Sequence, residues 1–193
     1  PGAGEAERRQ LTVLFADLAG STRLVDALDE ESYADVLREY HSVCTEAARR
    51  HDGIVAEYLG DGVVCYFGFP AAREDDAARA VEAAFELLAA VQKLPPPMPG
   101  HPLAARVGIA TGGVVINRAP GDHYARNAVG ACLSKAARLQ GAAALNGAVC
   151  CEITHKLLGE QFEIDPLGAL ELKGFAAAEP VYALKARRRG VSP

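Results

Sequence analysis

The sequence has no apolar run approaching about 18 residues, so it offers no helix that would cross a membrane. It does not open with the charged-then-apolar order of a signal peptide. Together these absences predict a cytoplasmic location. No Cys-X-X-Cys pair occurs among its 5 cysteines, Cys44, Cys65, Cys132, Cys150 and Cys151. Their odd number, and their place in apolar runs such as Val63-Val64-Cys65-Tyr66-Phe67, favour small buried hydrophobes in a reducing compartment over disulfides or zinc. Positive charge is not in excess either, since the net charge is -5. That argues against a nucleic-acid or anionic-membrane surface, which needs a basic face. An anionic nucleotide stays compatible, provided metal ions carry the positive charge. No internal repeat is evident.

What is present fits one ordinary domain: 193 residues, half of them hydrophobic. Residues 1–8 read as a linker remnant, 9–184 as the folded domain and 185–193 as a disordered tail. Residues 10–16 form a β-rich apolar run, followed by a turn, Asp17 to Thr22, with helix-start residues. Residues 22–51 read as helical with a break near Asp29. Residues 54–59 and 63–67 are strands on either side of the tight turn Gly60-Asp61-Gly62, so they form a hairpin. An Ala-rich helix covers 74–93, and a proline-rich connection follows. Residues 105–111 are a strand that resumes at 114–117 after Gly112-Gly113. A polar loop over 118–127, a helix over 131–139, a strand over 147–151, a short helix over 153–158 and a final β region from 162 complete the chain. The order strand, helix, hairpin, helix, strand predicts an α+β, ferredoxin-like βαββαβ core with extra C-terminal strands and its helices on one face.

Two aspartates hold positions that suit a metal. Asp17 stands where a strand ends and a glycine-containing turn begins, and Asp61 stands at a hairpin tip between two glycines. If the first strand lies beside the hairpin, the two carboxylates converge at one edge of the sheet. Paired carboxylates suit hard divalent cations, Mg²⁺ or Mn²⁺, held together with substrate phosphates. The turn Leu18-Ala19-Gly20-Ser21-Thr22 would present main-chain N–H groups to phosphate oxygens at a helix start. Taken singly, Asp17 is as readily a helix cap and Asp61 a plain turn residue.

Their joint context is more specific. Phe15-Ala16-Asp17-Leu18-Ala19-Gly20-Ser21-Thr22 resembles the first metal-binding motif of the class III adenylate and guanylate cyclases. Tyr58-Leu59-Gly60-Asp61-Gly62 and the strand after it resemble the second. Val129-Gly130-Ala131-Cys132-Leu133-Ser134-Lys135-Ala136-Ala137-Arg138 resembles the helix that carries the family's asparagine and arginine, and Arg106-Val107-Gly108-Ile109-Ala110-Thr111-Gly112 the strand before it. Leu172-Lys173-Gly174-Phe175 and Pro180-Val181-Tyr182 are similar to its C-terminal end. The nearest likeness is to the soluble, bicarbonate-responsive type and its bacterial relatives.

This resemblance implies two metals per site, held by Asp17, Asp61 and Leu18, at the interface of a head-to-tail homodimer. ATP or GTP would be converted to the 3′,5′-cyclic monophosphate and pyrophosphate. Arg138 of the other protomer would stabilise charge on the α-phosphate. Ala19, Gly20, Ser21 and Thr22 would surround the triphosphate, with Lys173 as a further nucleotide contact. Three positions depart from the pattern. Ser134 stands where active members carry the ribose-orienting asparagine. Glu57 stands at the base-selecting lysine of adenylate cyclases, where guanylate cyclases carry glutamate. Asn127 stands at the second base-selecting position. Glu57 can accept from guanine N1–H and the 2-amino group, and the Asn127 amide can serve either purine. Two readings follow: a purine nucleotide cyclase of low or conditional activity, or a regulatory domain that binds metal nucleotide or a partner subunit and makes little product. A heterodimer whose partner supplies the asparagine would reconcile them. The absence of a Gly-Gly-Asp/Glu-Glu-Phe signature disfavours a diguanylate cyclase.

Overall fold

The computed structural model describes residues 6–117, 128–188 and 190. The first seven elements are β1 (Ala6–Leu18), α1 (Ser21–Ala27), α2 (Glu30–Arg50), β2 (Ile54–Leu59), β3 (Gly62–Phe67), α3 (Asp76–Val91) and β4 (Ala105–Asn117). The remaining six are β5 (Ala128–Val129), α4 (Ala131–Gln140), β6 (Ala148–Cys151), α5 (Glu152–Leu158), β7 (Phe162–Leu170) and β8 (Glu179–Arg187). The sheet runs β2-β3-β1-β4-β6-β8-β7, with β5 added to β4. Its first four strands pair antiparallel throughout, in the ferredoxin-like order. The C-terminal addition joins through β6, which runs parallel to β4, and closes with the β7–β8 hairpin.

Local chemistry explains the elements near the future site. The break expected near Asp29 is real, because the Asp29 carboxylate accepts from the Ser32 amide at 2.8 Å and starts α2 afresh. Glu30 and Glu31 in the first turn of α2, and Arg49 and Arg50 in its last, complement the helix dipole. Gly60 has φ +64°, a left-handed conformation that lets the β2–β3 turn close in two residues.

The two helices of the ferredoxin-like core, α2 and α3, lie on one face as expected, and α4 of the C-terminal addition covers the other. Leu14, Ala16 and Leu18 of β1 pack with α2 and α3 in one core. Leu11 and Val13 pack with Cys132, Ala136 and Leu139 of α4 in a second core, across the sheet. The central strands are therefore buried on both sides, and all six residues of β3 are buried. Strand pairing also passes both expected domain bounds. Ala6 already pairs with Asn117, and β8 continues through Lys185 to Arg187, opposite Phe162. The basic composition of that end follows from its exposed edge-side positions and does not prevent pairing.

One close approach fixes α4. A Cβ on Gly108 would stand 2.2 Å from the Ala136 carbonyl oxygen and 2.4 Å from the Gln140 nitrogen. Only glycine lets the helix main chain settle directly on β4 here.

Candidate active site

Asp17 is the penultimate residue of β1 and lies opposite Gly62 on one side and Arg106 on the other. Asp61 completes the Gly60–Asp61 turn between β2 and β3. Because β1 pairs with β3, the strand end and the hairpin tip meet, and the two carboxyls lie within hydrogen-bonding reach. Asp17 is pushed up to about 6, first by burial and then by the hydrogen bond and charge of Asp61. The Leu18 amide and the Arg106 guanidinium oppose that rise. Two carboxylates this close need a proton or a cation between them.

Arg106 was not singled out from the sequence. Its Nε is buried and has no hydrogen-bond partner among the described residues. A lone arginine in a strand motif gives no sign of its neighbour; the cross-strand register with Asp17 does. The arrangement places one fixed positive charge beside a pair of carboxylates.

The donor set fits a hard divalent cation that shares its ligands with phosphate. Among the described residues no group of three or more His, Cys, Asp or Glu side chains could hold a metal. The chain thus offers two carboxylates and main-chain oxygen, and phosphates or water must complete the shell. Leu18 is 1% exposed, with its side chain locked in the core, so only its main chain is available.

The phosphate turn differs from expectation in one residue. The Ala19 amide donates to the Ala104 carbonyl at 2.8 Å, so it is unavailable to a phosphate. This bond ties the end of β1 to the start of β4. Gly20 adopts φ +77° and starts α1 with no side-chain cap. The Arg23 and Leu24 amides both donate to its carbonyl. The amides of Gly20, Ser21 and Thr22 remain as the donors that this turn contributes.

Glu57 reaches the site through a β-bulge. The pairing of β2 with β3 shifts register between Val55 and Glu57, so Glu57 lies opposite Val64. Val64 in turn lies opposite Phe15, two residues along β1 from Asp17. Glu57 thereby shares the α4 side of the sheet with Asp17, and its charge helps burial push the Tyr66 hydroxyl up to about 12. The same bulge returns Tyr58 to the α2 side, where its hydroxyl meets Thr45 at 2.6 Å.

Ser134 and Arg138 stand one turn apart on the exposed side of α4, opposite the buried Cys132, Ala136 and Leu139. Among the described residues neither enters a salt bridge, and the cations acting on Asp17 do not include Arg138. Within one chain they are not brought to the carboxylates. Lys173 is exposed beside the buried Leu172, on a hollow of about 480 Å³ lined by residues 171–178. Asn127 lies outside the described residues.

The catalytic-domain model for adenylate and guanylate cyclases matches residues 5–186. The chain belongs to this family. Its aspartate pair, bulge and exposed α4 residues can therefore be considered as parts of a cyclase domain, a family that depends on divalent metal in general. An uncharacterized protein of Rhizobium meliloti is 33% identical over 96% of the chain, which spans 18% of that relative. Adenylate cyclase 1 of the same organism is 26% identical over 99% of the chain, which spans 30% of it. The chain is thus less than a third as long as these relatives. The adenylyl cyclase CyaB from P. aeruginosa superposes with a TM-score of 0.80, at 25% identity, over 97% of this chain and 100% of that one. The guanylate cyclase domain of RhGC from Catenaria anguillulae, in complex with GTP, does so with a TM-score of 0.84, at 22% identity, over 95% and 100%. No helix among the described residues is long and apolar enough to cross a membrane.

The raised Asp17 carboxyl sets a pH dependence. If Asp17 ligates a divalent cation, its proton and the cation would compete for the same oxygens, and binding the cation would release the proton. Mn²⁺ affinity, read from the paramagnetic resonance of free Mn²⁺, is expected to be flat above about pH 6.5 and to weaken about tenfold per unit below pH 6. An affinity constant from pH 7.5 to 5 would show that Asp17 is not a ligand.

Proposed function

We propose that the domain is a purine nucleotide cyclase that acts as a dimer with two divalent cations per site. The contact between Asp17 and Asp61, with Asp17 held up to about 6 and Arg106 beside it, carries this reading. When bound, Mg²⁺ or Mn²⁺ would supply the Lewis acidity that eases loss of the 3′-hydroxyl proton and screens the triphosphate. The ribose 3′-oxygen attacks the α-phosphorus, the bond to the bridging oxygen breaks, and pyrophosphate leaves.

The residues of this chain divide the remaining work. Asp17 and Asp61 hold the cations at the strand end, and the Leu18 carbonyl adds a main-chain oxygen. The amides of Gly20, Ser21 and Thr22 and the half-buried Arg106 face the β- and γ-phosphates. Arg138, exposed on α4, reaches the α-phosphate bound to a second protomer and stabilises charge in the transition state. Ser134, one turn earlier, orients the ribose with a single hydroxyl. Glu57 brings only acceptors to the base, which match the N1–H and 2-amino donors of guanine. Lys173 stands as a peripheral nucleotide contact.

A second reading rests on Ser134. Serine is shorter than asparagine and offers one donor, so a domain that binds metal nucleotide and turns over slowly is the alternative. Purified protein with Mn²⁺ and either ATP or GTP tests both. Cyclic product is expected, and Ser134→Asn is expected to raise kcat by about tenfold or more, the scale of one transition-state hydrogen bond. No cyclic product from either nucleotide, before and after Ser134→Asn, would leave the regulatory reading.

A further inference from the structure

The turn that carries Asp61 is held from outside the sheet. His41, midway along α2, places its Nε2 3.0 Å from the Gly60 carbonyl oxygen. A carbonyl only accepts, so the imidazole donates from Nε2. The ring of His41 also lies against that of Tyr58, with centroids 4.5 Å apart. The Thr45 hydroxyl donates to the His41 carbonyl at 2.7 Å. Its one proton is then committed, so the Tyr58 hydroxyl must donate to Thr45 across their 2.6 Å contact. The result is a ring of contacts: Gly60 to the His41 side chain, His41 to Tyr58 by a tilted ring contact, Tyr58 to Thr45, and Thr45 back to the His41 main chain. It closes through β2 itself, because Tyr58 and Gly60 are two residues apart.

We propose that His41 is a positioning residue for the metal pair: through Gly60, and braced by Tyr58 and Thr45, it sets where Asp61 stands against Asp17. The inference rests on the reading of Asp17 and Asp61 as metal ligands. Asp17 needs no such help, because paired strands flank it on both sides and the Ala19–Ala104 bond follows it. Asp61 lies in a two-residue turn that begins at a left-handed glycine, a residue type with wide conformational freedom. The His41 bond removes that freedom at the residue before Asp61. The bulge in β2 serves the same end, since without the extra residue Tyr58 would leave the α2 side and the brace would be lost.

Three replacements separate the contributions. His41→Phe keeps a ring against Tyr58 and loses the donor. His41→Gln keeps an N–H near the same place, and Thr45→Val removes the brace alone. Mn²⁺ binding to each purified protein is read from the resonance of free Mn²⁺, with melting in chelator measured alongside. His41→Phe is expected to weaken Mn²⁺ binding about three- to tenfold, the scale of one hydrogen bond. His41→Gln should restore most of the affinity, and Thr45→Val should cost about two- to threefold. The metal-free melting temperatures of these variants should stay close to the parent's. An affinity for His41→Phe equal to the parent's, while Asp61→Ala loses binding, would overturn the positioning role and leave the metal reading standing. Parental affinity in Asp61→Ala would overturn both. Loss in His41→Phe and His41→Gln alike, in step with falling melting temperatures, would assign His41 to general stability instead. If His41→Phe does not fold, Thr45→Val decides, and parental affinity in that variant counts against the brace.

Discussion

Asp17→Asn is expected to abolish turnover, by about 10³-fold or more, while raising the melting temperature of the metal-free protein above pH 6. Both effects come from the same carboxyl. With a cation present, asparagine offers one weak neutral oxygen where an anionic ligand is needed. Without a cation, the ionised Asp17 sits half-buried beside Asp61 and is disfavoured by both burial and charge. The sign follows from proton binding. Asp17 rises from an ordinary 3.8 to about 6 on folding, so between those values the folded chain holds more protons than the unfolded one. Folding stability therefore declines as pH rises through that window, and the loss is complete above about pH 6. Asparagine keeps an acceptor for the Leu18 amide and carries no charge. After allowance for the solvent that screens the exposed half of the group, the gain is about 1 kcal/mol, or 2–4 °C in a domain of this size. Melting curves in chelator at pH 5 and pH 8 measure it. A variant no more stable than the parent at pH 8 would show that the two carboxylates do not strain one another.

The second large effect concerns Arg138. Arg138→Ala is expected to lower kcat by about 10²- to 10³-fold with little change in KM, because the contact forms only as charge develops at phosphorus. Its exposed position on α4, without a salt bridge among the described residues, is what a residue used by another protomer requires. Complementation tests this directly. A two-fold head-to-tail dimer of Asp17→Ala with Arg138→Ala contains one doubly damaged site and one intact site. In an equal mixture half the dimers are mixed, so activity should return to about one quarter of the parent's. Each variant alone should stay inactive. No recovery on mixing, with dimers demonstrated by light scattering, would place Arg138 in the site of its own chain or outside the chemistry.

Much of the candidate site's geometry could be read in the sequence because it depends on local order. The strand-turn context of Asp17 and the Gly-Asp-Gly hairpin tip are short-range features, and pairing β1 with β3 was enough to bring them together. What escaped depends on distant partners. Arg106 acts on Asp17 because the two lie opposite one another on neighbouring strands, and the Ala19 amide is taken by Ala104; neither pairing leaves a local mark. The bulge at Glu57 is likewise a property of two strands, invisible in the apolar pattern of one. The two-sided burial was legible in principle. Val63-Val64-Cys65-Tyr66-Phe67 is an unbroken apolar run, the mark of a strand covered on both faces, whereas a sheet with one wet face alternates. The exposed side of α4 carries no such mark, because the residues proposed to serve a second protomer look like ordinary surface.

Gly108 has a consequence beyond packing. Because α4 rests on β4 by main chain against main chain, the orientation of its outer side does not depend on the side chains carried there. Ser134 can therefore differ from asparagine without tilting the helix or disturbing either core. On the proposed reading, competence for chemistry and competence for folding are thus separable at this position. If Ser134 limits turnover, turnover could be lost here and regained by one substitution, with the scaffold kept intact in between.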